Sequence, residues 1–154
     1  MKKYILILLC IVLPVISLNA QKIADNKVPA PVMKSFKDKY PKMAHADWNM
    51  ESNGDYAVQF TAAGIQTKMT FEKNGTWIET EKSIPVASIP ASPKATLDKE
   101  YAEYTIESAD KINSAKNGES YSAKVKKGDT SYLVKLDAKG TILSKSTDEK
   151  TAHK

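Results

Sequence analysis

The stretch FEKNGTWIET, residues 71–80, returns in altered form as LDAKGTILSK, residues 136–145. Such an echo constrains the fold more than any other feature, because two copies of one unit must adopt the same local structure and then share a core. It extends upstream. Val28-Pro29-Ala30 falls on Ile89-Pro90-Ala91, Phe36 on Leu97 and Tyr40 on Tyr101, all at a step of 61 residues. Gly54 meets Gly118 at 64 and Gly75-Thr76 meets Gly140-Thr141 at 65, a drift that small loop insertions explain. The chain reads as a tandem duplication with copies at 28–86 and 87–147, preceded by a segment 21–27 and followed by a polar tail, 148–154.

Each copy opens with a proline-led helix. Pro31 and Pro93 suit a first helical turn, where the missing amide hydrogen has no partner in any case, and Ser92 is placed to cap the second helix. Met33, Phe36 and Tyr40 share one side at three- and four-residue spacing, as do Leu97, Tyr101 and Tyr104, which marks core faces rather than a ligand box. Pro41 stops the first helix. The period then changes to two. Tyr56, Val58 and Phe60, then Ile65, Thr67, Met69 and Phe71, alternate with wetter residues, and Tyr121, Ala123, Val125, Tyr132, Val134 and Leu136 repeat the pattern. One face is apolar and the other wet, as in an antiparallel sheet with helices on one face. The fold class is α+β, a tandem repeat of two α-β4 units.

The turns set the register. Asn74-Gly75 reads as a two-residue type I′ turn, which needs positive φ at both positions. Counting outward places Phe71 opposite Ile78 on the buried face, and Glu72 opposite Trp77 and Lys68 opposite Glu81 on the wet one. A turn at Lys139-Gly140 likewise pairs Leu136 with Leu143. At Asn53-Gly54 a two-residue turn would send Trp48 and Met50 to the wet face. A three-residue loop, Ser52 to Gly54, instead sets Met50 against Tyr56 and Trp48 against Val58, and is the expected register.

The first residues, MKKYILILLCIVLPVISLNAQK, hold two lysines, an uncharged run from Tyr4 to Ile16 and a small residue at Ala20. That is the pattern of a secretory signal peptide over 1–20, with an uncleaved anchor as the alternative because Leu18 departs from the small-x-small preference. Leu9 before Cys10 argues against a lipoprotein signal. The mature chain then has no cysteine, which excludes disulfides, thiol nucleophiles and zinc-thiolate sites, and its expected place is periplasmic or secreted, with no membrane span. Its formal charge falls from +5 to +3 as Lys2 and Lys3 leave. The chain has no arginine, whose planar fork nucleic-acid readers usually need, so no nucleic-acid partner is expected.

No residue set names a reaction. His45 and His153 are the only histidines, one before a strand and one in the tail. Glu79 and Glu81 share a strand face like paired acids, yet no apolar wall flanks them. There is no Gly-x-Ser-x-Gly elbow, phosphate-cradling loop or calcium loop. No catalytic residue, metal or cofactor is assigned. In the register above Trp77 points to the wet face beside Glu72, as contact anchors often do, the alternative being that it packs on lysine stems or the other copy. Trp77, Lys68, Lys135, Leu133 and Ile142 are the candidate contact residues, for an envelope or extracellular protein or peptide.

Gly75-Thr76-Trp77-Ile78-Glu79-Thr80-Glu81, Ile84-Pro85, Ile89-Pro90-Ala91 and Gly140-Thr141-Ile142-Leu143 together resemble the PepSY-like family of β-lactamase-inhibitor-like proteins of Bacteroidetes-type bacteria. The resemblance covers roughly residues 28–147. It implies α-β4 units whose sheets join into one curved sheet with helices on one face, in non-enzymatic envelope proteins. The β-lactamase inhibitory protein behind the family's name uses disulfides, which this mature chain lacks, so neither that inhibition nor any functional residue is carried over. Two functions are expected: a module that holds a protein or peptide on the open sheet face, or a structural or stress-related envelope protein without a discrete ligand.

Overall fold

A computed structural model describes residues 21–147; the expected signal peptide with Cys10, and the tail with His153, lie outside the described residues. A 3-10 turn, Asp25–Lys27, leads through Pro29 into α1, Ala30–Lys39, and the same device recurs as Val86–Ser88, Pro90 and α2, Ala91–Glu100. Pro29 and Pro90 are themselves the N-caps, so Ser92 lies inside α2 and, contrary to expectation, makes no capping bond. A proline suits this place because its fixed φ pre-sets the entry to the helix. Tyr40 and Tyr101 end the helices, donating their N–H groups to the carbonyls of Phe36 and Leu97. The faces so presented bury Val32 and Phe36 from α1, and Pro93 and Leu97 from α2.

The strands are β1 (Gln21–Ile23), β2 (Asp47–Met50), β3 (Tyr56–Ala62), β4 (Ile65–Phe71), β5 (Trp77–Ile84), β6 (Thr105–Ser114), β7 (Gly118–Lys127), β8 (Thr130–Asp137) and β9 (Ile142–Thr147). They form one antiparallel sheet in chain order, and with the two helices the class is α+β. β1 was not expected from the sequence: three residues are too few to show a period, and its place comes from pairing Ile23 with Trp48. Most residues picked out by period two pack toward the helices; Ile65, beside the β3–β4 turn and beyond the reach of the core, is instead 45% exposed. Tyr56, Val58, Phe60, Met69 and Phe71 pack with Phe36 and Trp48 in one cluster, and Ala123, Val125, Val134 and Leu136 pack with Leu97 and Tyr101 in another. The two halves thus keep separate clusters rather than a shared core. Lys82, Lys111 and Asn113 lie between them on the helix side, while hydrogen bonding continues unbroken where β5 pairs β6, from Glu79 with Ser114 to Ile84 with Ala109.

The β2–β3 register is the expected one, with Trp48 against Val58 and Met50 against Tyr56. Between β4 and β5 the register differs near the turn. Lys68 meets Glu81 and Thr70 meets Glu79, but Phe71 pairs with Trp77 and Ile78 is left as the extra residue of a bulge. The turn is the reason. Gly75 has φ 88° while Asn74 stays in the ordinary region, so type I′ is ruled out. Gly75 N–H donates to the Glu72 carbonyl and Glu72 N–H to that of Thr76, both at 2.9 Å, which closes a three-residue loop ending in a left-handed glycine. The second half repeats this with Asp137, Gly140 and Thr141, both bonds at 3.0 Å, and Leu136 accordingly pairs with Ile142 instead of Leu143. The loop at Asn53-Gly54 is of the same kind, as expected. Positive φ at both central residues occurs elsewhere, at Ala63 (51°) and Gly64 (78°).

The repeated Gly-Thr phrase has a packing role. A Cβ on Gly75 would stand 2.6 Å from the Pro31 carbonyl oxygen, and one on Gly140 would stand 2.7 Å from that of Ser92. Each turn therefore rests directly on the first turn of its own helix, and only glycine lets the backbones approach so closely. Thr96 strengthens the second contact by donating from Oγ1 to the Gly140 carbonyl at 2.8 Å.

Candidate protein-contact surface

Alternation along each strand sends half of the side chains away from the helices. Among the described residues no helix or strand covers that open face, yet Ala57, Thr70, Ile112, Ser120 and Ser122 are buried. Four small side chains and Ile112 make the floor, and longer charged neighbours close over it. Lys68 on β4 reaches Glu51 at 2.9 Å and Glu81 on β5 at 3.9 Å. Lys135 on β8 reaches over β7 and β6 to Glu79 on β5 at 3.7 Å. Lys124 and Lys126 both approach Glu107, at 3.2 and 3.7 Å. A trough of about 550 Å³ crosses the first half of the face, with Gln59, Gln66, Lys68, Glu81, Ser83 and Asp110 among its walls. It adjoins a second hollow of about 620 Å³ beside His45, the two sharing Asp47, Gln59, Phe60 and Thr61.

The charges at the trough are half-buried and perturb one another. Burial pushes the Glu81 carboxyl above the usual range; Lys68 opposes this, and Glu79 and Asp110 add to it. For the Lys68 ammonium, burial alone acts downward, but Glu51, Glu81 and Glu79 together hold it above the ordinary lysine value. Asp110 is held by hydroxyls: Ser83 donates to Oδ1 at 2.9 Å and Ser122 to Oδ2 at 3.3 Å. Among the described residues no group of His, Cys, Asp and Glu side chains is gathered closely enough to hold a metal ion.

Of the candidate contact residues, Lys68, Lys135 and Leu133 stand on the open face, Leu133 being 43% exposed. Trp77 and Ile142 do not. The bulge turns each toward the helix side, opposite Phe71 and Leu136. Trp77 packs against the first cluster, with the Lys39 ammonium of α1 4.4 Å from its ring centre and its indole N–H donated to Thr80 Oγ1 at 2.9 Å. The lysine-stem alternative describes it better than the contact-anchor reading. Sequence reasoning missed Asp110, Ser83 and the trough, because β6 comes next to β5 only through the sheet. Glu79 and Glu81 were noticed as a pair, and what alternation cannot show is the burial that makes Glu81 unusual.

A family model described as "putative beta-lactamase-inhibitor-like, PepSY-like" matches residues 15–53 and 54–144. The chain belongs to this PepSY-like family. Its fold is shared by a protein of Bacteroides eggerthii described as "putative periplasmic", at TM-score 0.71 and 18% identity, over 78% of this chain and 88% of that one. A DUF2874 family protein of Bacteroides ovatus superposes at 0.70 and 20% identity, covering 79% and 89% of the two chains. A BLIP-like protein of Bacteroides fragilis does so at 0.64 and 15%, covering 78% and 86%. No curated protein is a significant match. At these identities the likeness is one of fold, and function has to be argued from the surface itself. No helix among the described residues is long and apolar enough to cross a membrane.

Proposed function

We propose that this PepSY-like protein is a non-enzymatic module of the bacterial envelope, periplasmic or secreted after loss of its leader, and that it holds a protein or peptide segment on the open face of its duplicated sheet. The observation that carries this is the open face itself, hollowed to small buried residues, walled by half-buried charges and crossed by a broad trough. A shallow polar trough suits an extended macromolecular segment better than a small metabolite, which needs a deep and mostly apolar pocket. The competing reading, a structural envelope protein without a discrete ligand, is favoured by the ion pairs that already engage Lys68 and Lys135, and by the loss of Trp77 from this face.

Site-directed photocrosslinking in the native envelope separates the two. A photoreactive side chain at Gln66, exposed on the open face, should yield one discrete adduct, and one at Lys37, exposed on α1, should yield none. Adducts from neither position would leave the structural role as the better account, and adducts from Lys37 alone would move the contact to the helix side and overturn the open-face reading.

A further inference from the structure

We propose that the occupant of the open face is a protein segment that places a basic side chain, arginine or lysine, in the trough between Lys68 and Asp110. This rests on the binding reading above and names its partner chemistry. The charge balance carries it. Asp47, Glu81 and Asp110 line the trough against Lys68, with Asp47 paired to Lys22 at its outer end, and Glu51, Glu79 and Lys135 stand beside it as ion-pair partners. Lys68 lies closer to Glu51 (2.9 Å) than to Glu81 (3.9 Å), and Lys135 goes to Glu79 at 3.7 Å. Glu81 is left with one long cationic contact, and its other close neighbour is a second carboxyl, that of Glu79. Asp110 has only the Ser83 and Ser122 hydroxyls, and no lysine forms an ion pair with it among the described residues. A half-buried surplus of negative charge lines a trough that is open to a long side chain.

A cation entering there restores the Coulomb energy that desolvation has cost the carboxylates, and it does so where water screens less than on a flat surface. A guanidinium matches two separated carboxylates through its planar fork, and an ammonium serves as a point charge. Gln59, Gln66 and Thr61 line the same trough and offer amide and hydroxyl groups to a peptide backbone. A bare metal ion is the poorer fit, because the acidic groups are too dispersed to surround one.

The test is selection of a random dodecapeptide display library on the folded chain purified from the periplasm, followed by titration of one enriched synthetic peptide. Enriched peptides should share an arginine or lysine. The doubly neutralised variant Glu81→Gln/Asp110→Asn, with unchanged circular dichroism, should bind about tenfold or more weakly. Exchanging the peptide's basic residue for glutamine should cost as much on the wild type and little on the variant. Enriched peptides without a shared basic residue, or equal affinity for the variant, would overturn the basic occupant while the open-face reading stands. No enrichment on the wild type would overturn both. Displacement of the peptide by calcium chloride beyond that by sodium chloride of equal ionic strength would make the trough a divalent-cation site and overturn the proposal.

Discussion

Phe36, Trp48, Phe60 and Phe71 in the first half stand where Leu97, Ala109, Val125 and Leu136 stand in the second. The positions correspond through the registers: Trp48 pairs with Val58 and Val58 with Met69, as Ala109 pairs with Ala123 and Ala123 with Val134. In the first half Phe36 meets Trp48 and Phe60 edge-on, at centroid distances of 5.4 and 5.2 Å. In the second the rings sit at the rim, where Tyr104 lies between Tyr101 and Tyr132 at 5.5 and 6.0 Å, and the Lys145 ammonium covers Tyr132 at 3.7 Å. One backbone frame therefore accepts an aromatic core and an aliphatic one. What the halves hold in common is the proline entry to the helix and the glycine turn seated on it. Volume can be redistributed within a core so long as the pattern is kept, whereas a backbone-to-backbone contact has no substitute.

The comparison is most exposed at the core. Trp48→Ala should destabilise by about 4 kcal/mol and Leu97→Ala by about 3, since the larger ring leaves the larger cavity. Chemical denaturation measures both, and equal costs would mean that the aromatic cluster adds nothing beyond the aliphatic one.

Next comes the turn. Gly75 and Gly54 have nearly the same φ, 88° and 89°, but a side chain at Gly54 would meet nothing within 4 Å. Gly54→Val should therefore cost only backbone strain, about 1 to 2 kcal/mol, and Gly75→Val about 3 kcal/mol or more, because the Pro31 carbonyl is in the way. Similar losses at the two sites would remove the docking contact from the account of the fold.

Both tryptophans of the chain lie in the first half, so their fluorescence reports that half alone, while circular dichroism reports the whole sheet. With hydrogen bonding continuous from β5 to β6, the two unfolding transitions should coincide. A fluorescence midpoint displaced from the dichroism midpoint would show that the separate clusters melt separately. Trp48 is 1% exposed and Trp77 half-buried, so Trp77→Phe should remove most of the acrylamide-accessible emission. Its cost should be about 1 kcal/mol, from the lost lysine contact and indole hydrogen bond.

The smallest expected effect separates the open face from the helix side. Glu81 binds its proton more tightly folded than unfolded, so the folded state takes up a proton as pH falls from neutrality through the raised folded value toward the ordinary 4.5. Its charged form is a penalty at neutral pH that acid relieves, so this group contributes stability that rises as pH falls across that window. Wild type should accordingly gain in Tm relative to Glu81→Gln over the same interval. A constant difference would mean that the trough is not desolvated.

Strand faces, helix stripes and the places of the turns were all legible in the sequence, because each follows from a local period or from one glycine. Lys68 opposite Glu81 and Trp48 opposite Val58 were fixed in this way. Trp77 and Ile142 were misplaced by a single residue of register. A two-residue and a three-residue loop place the same Asn-Gly or Lys-Gly pair between the same strands, and local sequence does not choose between them. In the three-residue form each glycine rests on the carbonyl of Pro31 or Ser92, more than forty residues away along the chain, a contact that the local sequence does not contain. The joining of β5 to β6, the addition of β1 and the meeting of Asp110 with Glu81 are likewise contacts between distant residues. Their free energy comes from pairing and packing that exist only in the assembled sheet, so the sequence determined what each segment would become and the tertiary structure decided which side chains would meet.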